Sequence, residues 1–217
     1  MNFYGHAVVA AATERDSEFV LGAMLPDFIS ILGSRPPRLE MGSLARGVAY
    51  HHRTDAAFHE SAIFRALQAE ASNQLLARGV RRGPTRAVAH VGIELLIDAA
   101  LAWSFASSAA ADEAYLRALE LGSAPLPGLA WQPSSNTELF MGLCQRLRHA
   151  GVDRFRVDAE QVTADLGRIL ARRPRLALAE QETPAVKAWA AQAFLVVKTE
   201  LPALLEQLKN RLDGQIA

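Results

Sequence analysis

Residues 50–60 read YHHRTDAAFHE and hold three of the chain's six histidines. Placed on a helix at about 100° per residue with His51 at zero, Asp55 falls near 40°, His59 near 80° and His52 near 100°, whereas Arg53 points elsewhere. A second stripe follows. Arg86, His90, Glu94 and Asp98 recur every four residues, and the segments between the last three and beyond, VGI, LLI and AAL, are apolar. Imidazole nitrogens and carboxylate oxygens without thiolate form a donor set for a divalent cation: Mn²⁺, Mg²⁺, Fe or Zn. Two helices presenting such stripes to each other would enclose a site in the way helical bundles do. A cation there lowers the pKa of bound water and holds a phosphoryl oxygen.

Two N-terminal residues join the set. Asp27, in LGAMLPDFIS, sits between apolar neighbours, where an unpaired carboxylate is costly to bury but a cation would offset the cost. His6, in NFYGHAVV, is a lone histidine on an apolar stretch. The basic connector Arg78, Arg81, Arg82 and Arg86 offers guanidinium forks suited to phosphate or to an acidic partner. Each residue also has an ordinary explanation. His6 suits a core, Asp27 a turn cap after Pro26, and Asp55 a pair with Arg53. His90, Glu94 and Asp98 suit a structural network, and the arginines a solvated loop. Cys144, in LFMGLCQRL, reads as core, and Trp103, Trp131 and Trp189 follow no usable pattern.

The elements that must carry these residues are helices. Alanine, leucine, glutamate and arginine dominate, and strand-like alternation is absent. The pattern predicts helices over 4–13, 17–24, 42–77 (one or two), 85–118, 136–149, 158–172 and 184–212. Loops are expected at 34–43 and 122–136, the second ending where Ser135 or Asn136 caps the next helix. Residues 78–86 form the connector. Pro202 is expected to kink or interrupt the last helix. Only His149 of the histidines lies beyond residue 90. The chemistry is therefore expected in residues 1–118, with 119–217 as cover or interface in a single all-helical domain.

Composition bounds the function. The chain has 217 residues, half of them hydrophobic, and no formal net charge, so nothing global indicates nucleic acid or a membrane surface. Lys187, Lys198 and Lys209 are the only lysines among 23 basic residues. The single cysteine excludes an intrachain disulfide and fits a reducing, cytoplasmic compartment. Residues 87–111 are long enough to span a bilayer, but His90, Glu94 and Asp98 within them point to a buried helix instead. The start lacks a basic segment of the kind that opens a signal peptide.

MNFYGHAVVA, LGAMLPDF, GVAYHHRTDAAFH and IELLIDAALAW follow one another over residues 1 to about 105. Their order and spacing resemble the acyl carrier protein phosphodiesterases. The resemblance implies an all-α, HD-domain-like helical bundle. It also implies a Mn²⁺-dependent phosphodiester hydrolase that removes the phosphopantetheine arm from a carrier protein's serine. It matches His6 and Asp27 to the family's early histidine and aspartate. Gly47, Val48, His51 and Asp55 match its third block, and Asp98, Leu101 and Ala102 its fourth. Three positions depart: His52 stands for arginine, His59 for aspartate, and Ala99 for the histidine that follows the fourth-block aspartate.

The resulting expectation is a metal-dependent phosphoesterase. His51, Asp55, Asp98, Asp27 and His6 would hold the metal. His59, His90 and Glu94 would complete the shell or position water, and Arg53 or Arg86 would take up developing charge. The expected partner is acyl carrier protein or another acidic phosphorylated substrate, with residues 184–212 leaving an apolar face for packing in cis or in a homodimer. Two rivals stand beside this reading. One is a non-catalytic binding protein on a degenerate HD-like scaffold, motivated by Ala99. The other is a zinc-dependent phospholipase-like or nucleotidase-like hydrolase.

Overall fold

The computed structural model describes residues 1–104 and 109–213. The fold is all-α. Its helices are α1 (Phe3–Thr13), α2 (Ser17–Leu32), α3 (Ser43–Glu60), α4 (Ala62–Ala77), α5 (Arg82–Ala87), α6 (Ile93–Trp103), α7 (Ala109–Gly122), α8 (Ser135–Ala150), α9 (Ala159–Ala171) and α10 (Thr183–Asp213). A π-helical turn, Val88–Gly92, joins α5 to α6. One small antiparallel pair, β1 (Arg38–Leu39) and β2 (Leu129–Ala130), ties the two loops expected at 34–43 and 122–136. Among the described residues, no helix is long and apolar enough to cross a membrane.

The chain divides into two compact units, each assembled from two stretches. Residues 1–56 and 104–154 form the first, and residues 57–103 and 155–217 the second. In the first unit α1, α2 and α7 pack mutually, and α8 packs on α7 and α2. Phe3, Phe28, Phe140 and Trp131 form a run of tilted rings with successive centroids 5.3, 6.2 and 5.3 Å apart. Tyr4 meets Tyr115 edge-on and donates its hydroxyl to Asp112 at 2.7 Å. Cys144 is buried, as its apolar setting indicated, and burial pushes its thiol up to about 12.

Two backbones nearly touch in this unit. A Cβ on Gly22 would lie 2.2 Å from the Leu44 carbonyl oxygen, and one on Gly47 would lie 2.1 Å from that of Phe19. Only glycine at both positions lets α2 and the first part of α3 cross so closely. This crossing accompanies a departure from expectation. The helix predicted to stop at residue 24 continues to Leu32 with Pro26 inside it. Proline removes one backbone donor, but the helix keeps its cap at each end. Asp16 accepts from the Phe19 amide at 3.2 Å, and Gly33 terminates the helix at φ 62°. Asp27 therefore lies on helix rather than capping a turn.

In the second unit α10 packs on α4, α6 and α9. It runs through Pro202 without interruption. Gly92 makes room for the buried Trp189, whose Cη2 would lie 2.7 Å from a Cβ there. The expected segment 42–77 resolves into two helices because Ser61 breaks it and caps α4. Its hydroxyl oxygen accepts from the Phe64 amide at 3.3 Å and the hydroxyl donates to Gln207 at 2.9 Å. The expected helix 85–118 is also divided, and residues 105–108 of it lie outside the described residues. Neither Ser135 nor Asn136 caps α8; Ser134 precedes the helix without a side-chain cap bond.

The connector is not an open cradle. Arg78 donates to Gln192 and to the Gln74 carbonyl, and α5 begins within the connector at Arg82. Arg81 grips Glu182 through its Nε at 3.0 Å and Nη2 at 2.8 Å, and also donates to the Ala177 carbonyl. Glu182 is buried and also accepts from the amides of Arg81 and Ala179, each at 2.8 Å. The Arg81 guanidinium, with these amides, holds the Glu182 carboxyl down to about 2 from an ordinary 4.5. Arg82 and Arg86 are exposed.

Gly47→Ala should lose about 3 kcal/mol or more in urea denaturation, because backbone atoms cannot yield to the new methyl group. Gly167→Ala, where a Cβ meets nothing within 4 Å in mid-α9, should instead gain about 0.5–1 kcal/mol. Glu182 is depressed in the folded state, so its stabilisation is fully present above the unfolded value near 4.5 and lost as pH falls toward 2. Denaturation between pH 3 and 7 should show Glu182→Gln less stable than wild type at neutral pH, with the gap closing on acidification.

Candidate metal centre

The first unit gathers His6 from α1, Asp27 from α2 and His51 from α3. One ligand atom from each lies within 4.8 Å of the others. The two imidazole rings are 4.0 Å apart at their centroids with a 34° tilt. Both histidines are buried. Asp55, one turn after His51, reaches within 3.9 Å of His6 Nε2 through its Oδ1.

Hydrogen bonds decide which nitrogen of each ring is available. His51 Nδ1 lies 2.8 Å from the Ala23 carbonyl oxygen. A carbonyl can only accept, so Nδ1 carries the proton and the lone pair is on Nε2. His6 Nδ1 lies 3.1 Å from Thr54 Oγ1. Thr54 donates its own proton to the His51 carbonyl at 2.9 Å, so its hydroxyl oxygen accepts from His6 Nδ1–H, and again Nε2 keeps the lone pair. An outer acceptor fixing the ring of a metal-binding histidine is the usual arrangement around metal ions. Burial holds His51 below the ordinary histidine range against the opposing pull of the Ala23 carbonyl, which favours the neutral, ligating form. Donors about 2.0–2.2 Å from one ion lie about 3–4.4 Å from each other. The present spacing fits one divalent ion after small side-chain movements.

The crossing at Gly22 and Gly47 positions this group. Ala23 adjoins Gly22, and His51 stands one turn after Gly47. Close contact of the helices therefore brings the His51 ring onto the Ala23 carbonyl. Asp27 lies one turn further along α2.

The second unit gathers His59, His90 and Glu94, also with one ligand atom each within 4.8 Å. His59 and His90 stack at 5.0 Å and 7°. Asp98, one turn beyond Glu94 on α6, is buried. The α3 stripe thus contributes to two groups of donors: His51 and Asp55 to the first, His59 to the second. Of the remaining candidates, His52 and Arg53 are exposed on α3, and Arg86 is exposed on α5. Ala99 is buried. Sequence reasoning passed over Thr54 and Gln68. Thr54 was discoverable as the neighbour three residues after His51 on the wheel. Gln68, 2.9 Å from His90 Nδ1, lies on another helix and gave no local signal.

No protein-family model, no curated protein and no solved structure matches this chain.

Thr54 provides a test of the ring-fixing argument. Thr54→Val removes the acceptor for His6 Nδ1–H, so affinity for Mn²⁺ or Zn²⁺ should drop about tenfold or more. Thr54→Ser should retain it. Isothermal titration of metal-stripped protein reads both.

Proposed function

We propose that this protein is a metal-dependent phosphoric ester hydrolase, with His6, Asp27, His51 and Asp55 as the ligands of a divalent ion. The observation that carries the reading is the pair of buried histidines. Each is fixed through Nδ1 to an acceptor, and one ligand atom of each lies within 4.8 Å of the other's and of an Asp27 carboxylate oxygen. Two nitrogens and two carboxylates suit Mn²⁺ best within this reading, with Fe, Zn and Mg as competitors.

A bound ion here would act as a Lewis acid toward phosphoryl oxygen and toward water. The chain's own residues set the conditions for that chemistry. Burial favours the neutral, ligating form of His51, while the Ala23 carbonyl and Thr54 hydroxyl hold the protons of His51 and His6 on Nδ1 and leave the lone pairs on Nε2. Asp27 and Asp55 supply the negative charge that a dication requires in a poorly solvated place. Arg53, exposed two residues after His51, is the guanidinium proposed to pair with substrate phosphate. The ordered blocks that resemble acyl carrier protein phosphodiesterases support a phosphodiester on an acidic carrier as substrate.

A non-catalytic binding protein is the second reading. Ala99, a buried methyl group where the resemblance implies histidine, favours it.

Elemental mass spectrometry of protein purified without chelator or affinity metal separates these readings. It is followed by phosphodiester hydrolysis assays with added Mn²⁺. The hydrolase should carry Mn, Fe or Zn, and Asp27→Asn and His51→Ala should each lose one equivalent of metal and at least a hundredfold in activity. Metal content unchanged from wild type in both variants, or activity untouched by them, would remove the first reading.

A further inference from the structure

We infer that His59, His90 and Glu94 form a second metal site, held entirely within the second unit, for a borderline divalent ion of the zinc class. The inference does not depend on the proposed hydrolase activity.

Distances carry it. His59 Nε2 is 3.6 Å and His90 Nε2 is 3.4 Å from the same Glu94 oxygen, Oε1. Both separations exceed the range of about 2.7–3.2 Å for an N–H···O hydrogen bond. They match the edge of about 3.4 Å of a tetrahedron whose donors stand about 2.0–2.1 Å from zinc. Two imidazoles and one carboxylate are a donor set zinc accepts with an open fourth position. The exposure gradient suits that geometry: the Glu94 side chain is 12% exposed, His59 32% and His90 42%.

The surroundings hold the donors in place. Phe64 packs edge-on against both His59 at 5.1 Å and His90 at 5.8 Å, so the stacked rings have an apolar wall behind them. His90 sits in the π-helical turn Val88–Gly92, a wider turn that re-aims a side chain and recurs at functional sites. Gln68 supplies the outer partner. Its amide nitrogen Nε2 is 2.9 Å from His90 Nδ1. Turning the amide over places its carbonyl against that nitrogen, so that Nδ1 carries the proton and the ring Nε2 keeps its lone pair for the ion; the proposed site uses this orientation.

The test is Co²⁺ titration of chelator-stripped full-length protein, read by visible absorption, with bound Zn²⁺ counted by elemental mass spectrometry after gel filtration. Wild type should hold two equivalents and His51→Ala one. Glu94→Gln and His90→Gln should each hold one, with the Co²⁺ spectrum of the histidine–glutamate site missing. Circular dichroism confirms that each variant remains folded. Gln68→Glu should bind about tenfold tighter at this site and Gln68→Leu about tenfold weaker, a response that a structural ion-pair network would not give. If the first site alone is wrong, wild type holds one equivalent, retained in His51→Ala and lost in Glu94→Gln. The present inference is overturned if Glu94→Gln and His90→Gln both bind as wild type does, or if His51→Ala binds nothing.

Discussion

The approach of α2 and α3 at Gly22 and Gly47 is the constraint on which the first cluster rests. With backbone atoms as near as a Cβ would normally lie, neither helix can rotate or slide without collision or a void. That fixes the height of His51 against the Ala23 carbonyl and of Asp27 one turn along. A donor set scattered over residues 6 to 55 becomes compact because two side chains are missing. The small residues look inert in the sequence, yet they set the spacing of the donor cluster beside them.

Tautomer control is the next consequence. A histidine buried in an apolar unit is merely a costly polar ring unless one nitrogen is satisfied. Here His51 uses a main-chain carbonyl of a neighbouring helix. His6 uses a threonine whose own proton is committed to the main chain. These acceptors decide which nitrogen each ring presents to the cluster. The second cluster follows a softer version of the same logic. A glutamine amide, which can present either face, stands where the first cluster has a carbonyl and a hydroxyl.

Charge elsewhere is spent on architecture. Arg81 appeared suited to an anion, but it is committed to Glu182 across a sequence separation of 101 residues. With both partners and two main-chain amides joined, the segment around 177–182 is tied to the start of α5. An arginine that closes a fold in this way is not available to a phosphate.

Much of this was legible in the residues themselves. The helical class followed from composition and from the absence of alternation, because helix propensity and 3.6-residue periodicity are local properties. The shared face of His51 and Asp55 followed from their spacing alone. The break at Ser61 and the passage of α2 through Pro26 were not legible. At Ser61 the hydroxyl finds its acceptor, Gln207, on α10, 146 residues away in the chain. A helical wheel gives the direction of a side chain but not what faces it. For that reason His59 joined His90 and Glu94 rather than His51, and Arg81, though exposed, met Glu182. The sequence by itself determined the helices and the types of donor on each face. Only the tertiary structure decided which donors share a centre, because that depends on contacts between segments far apart in the chain.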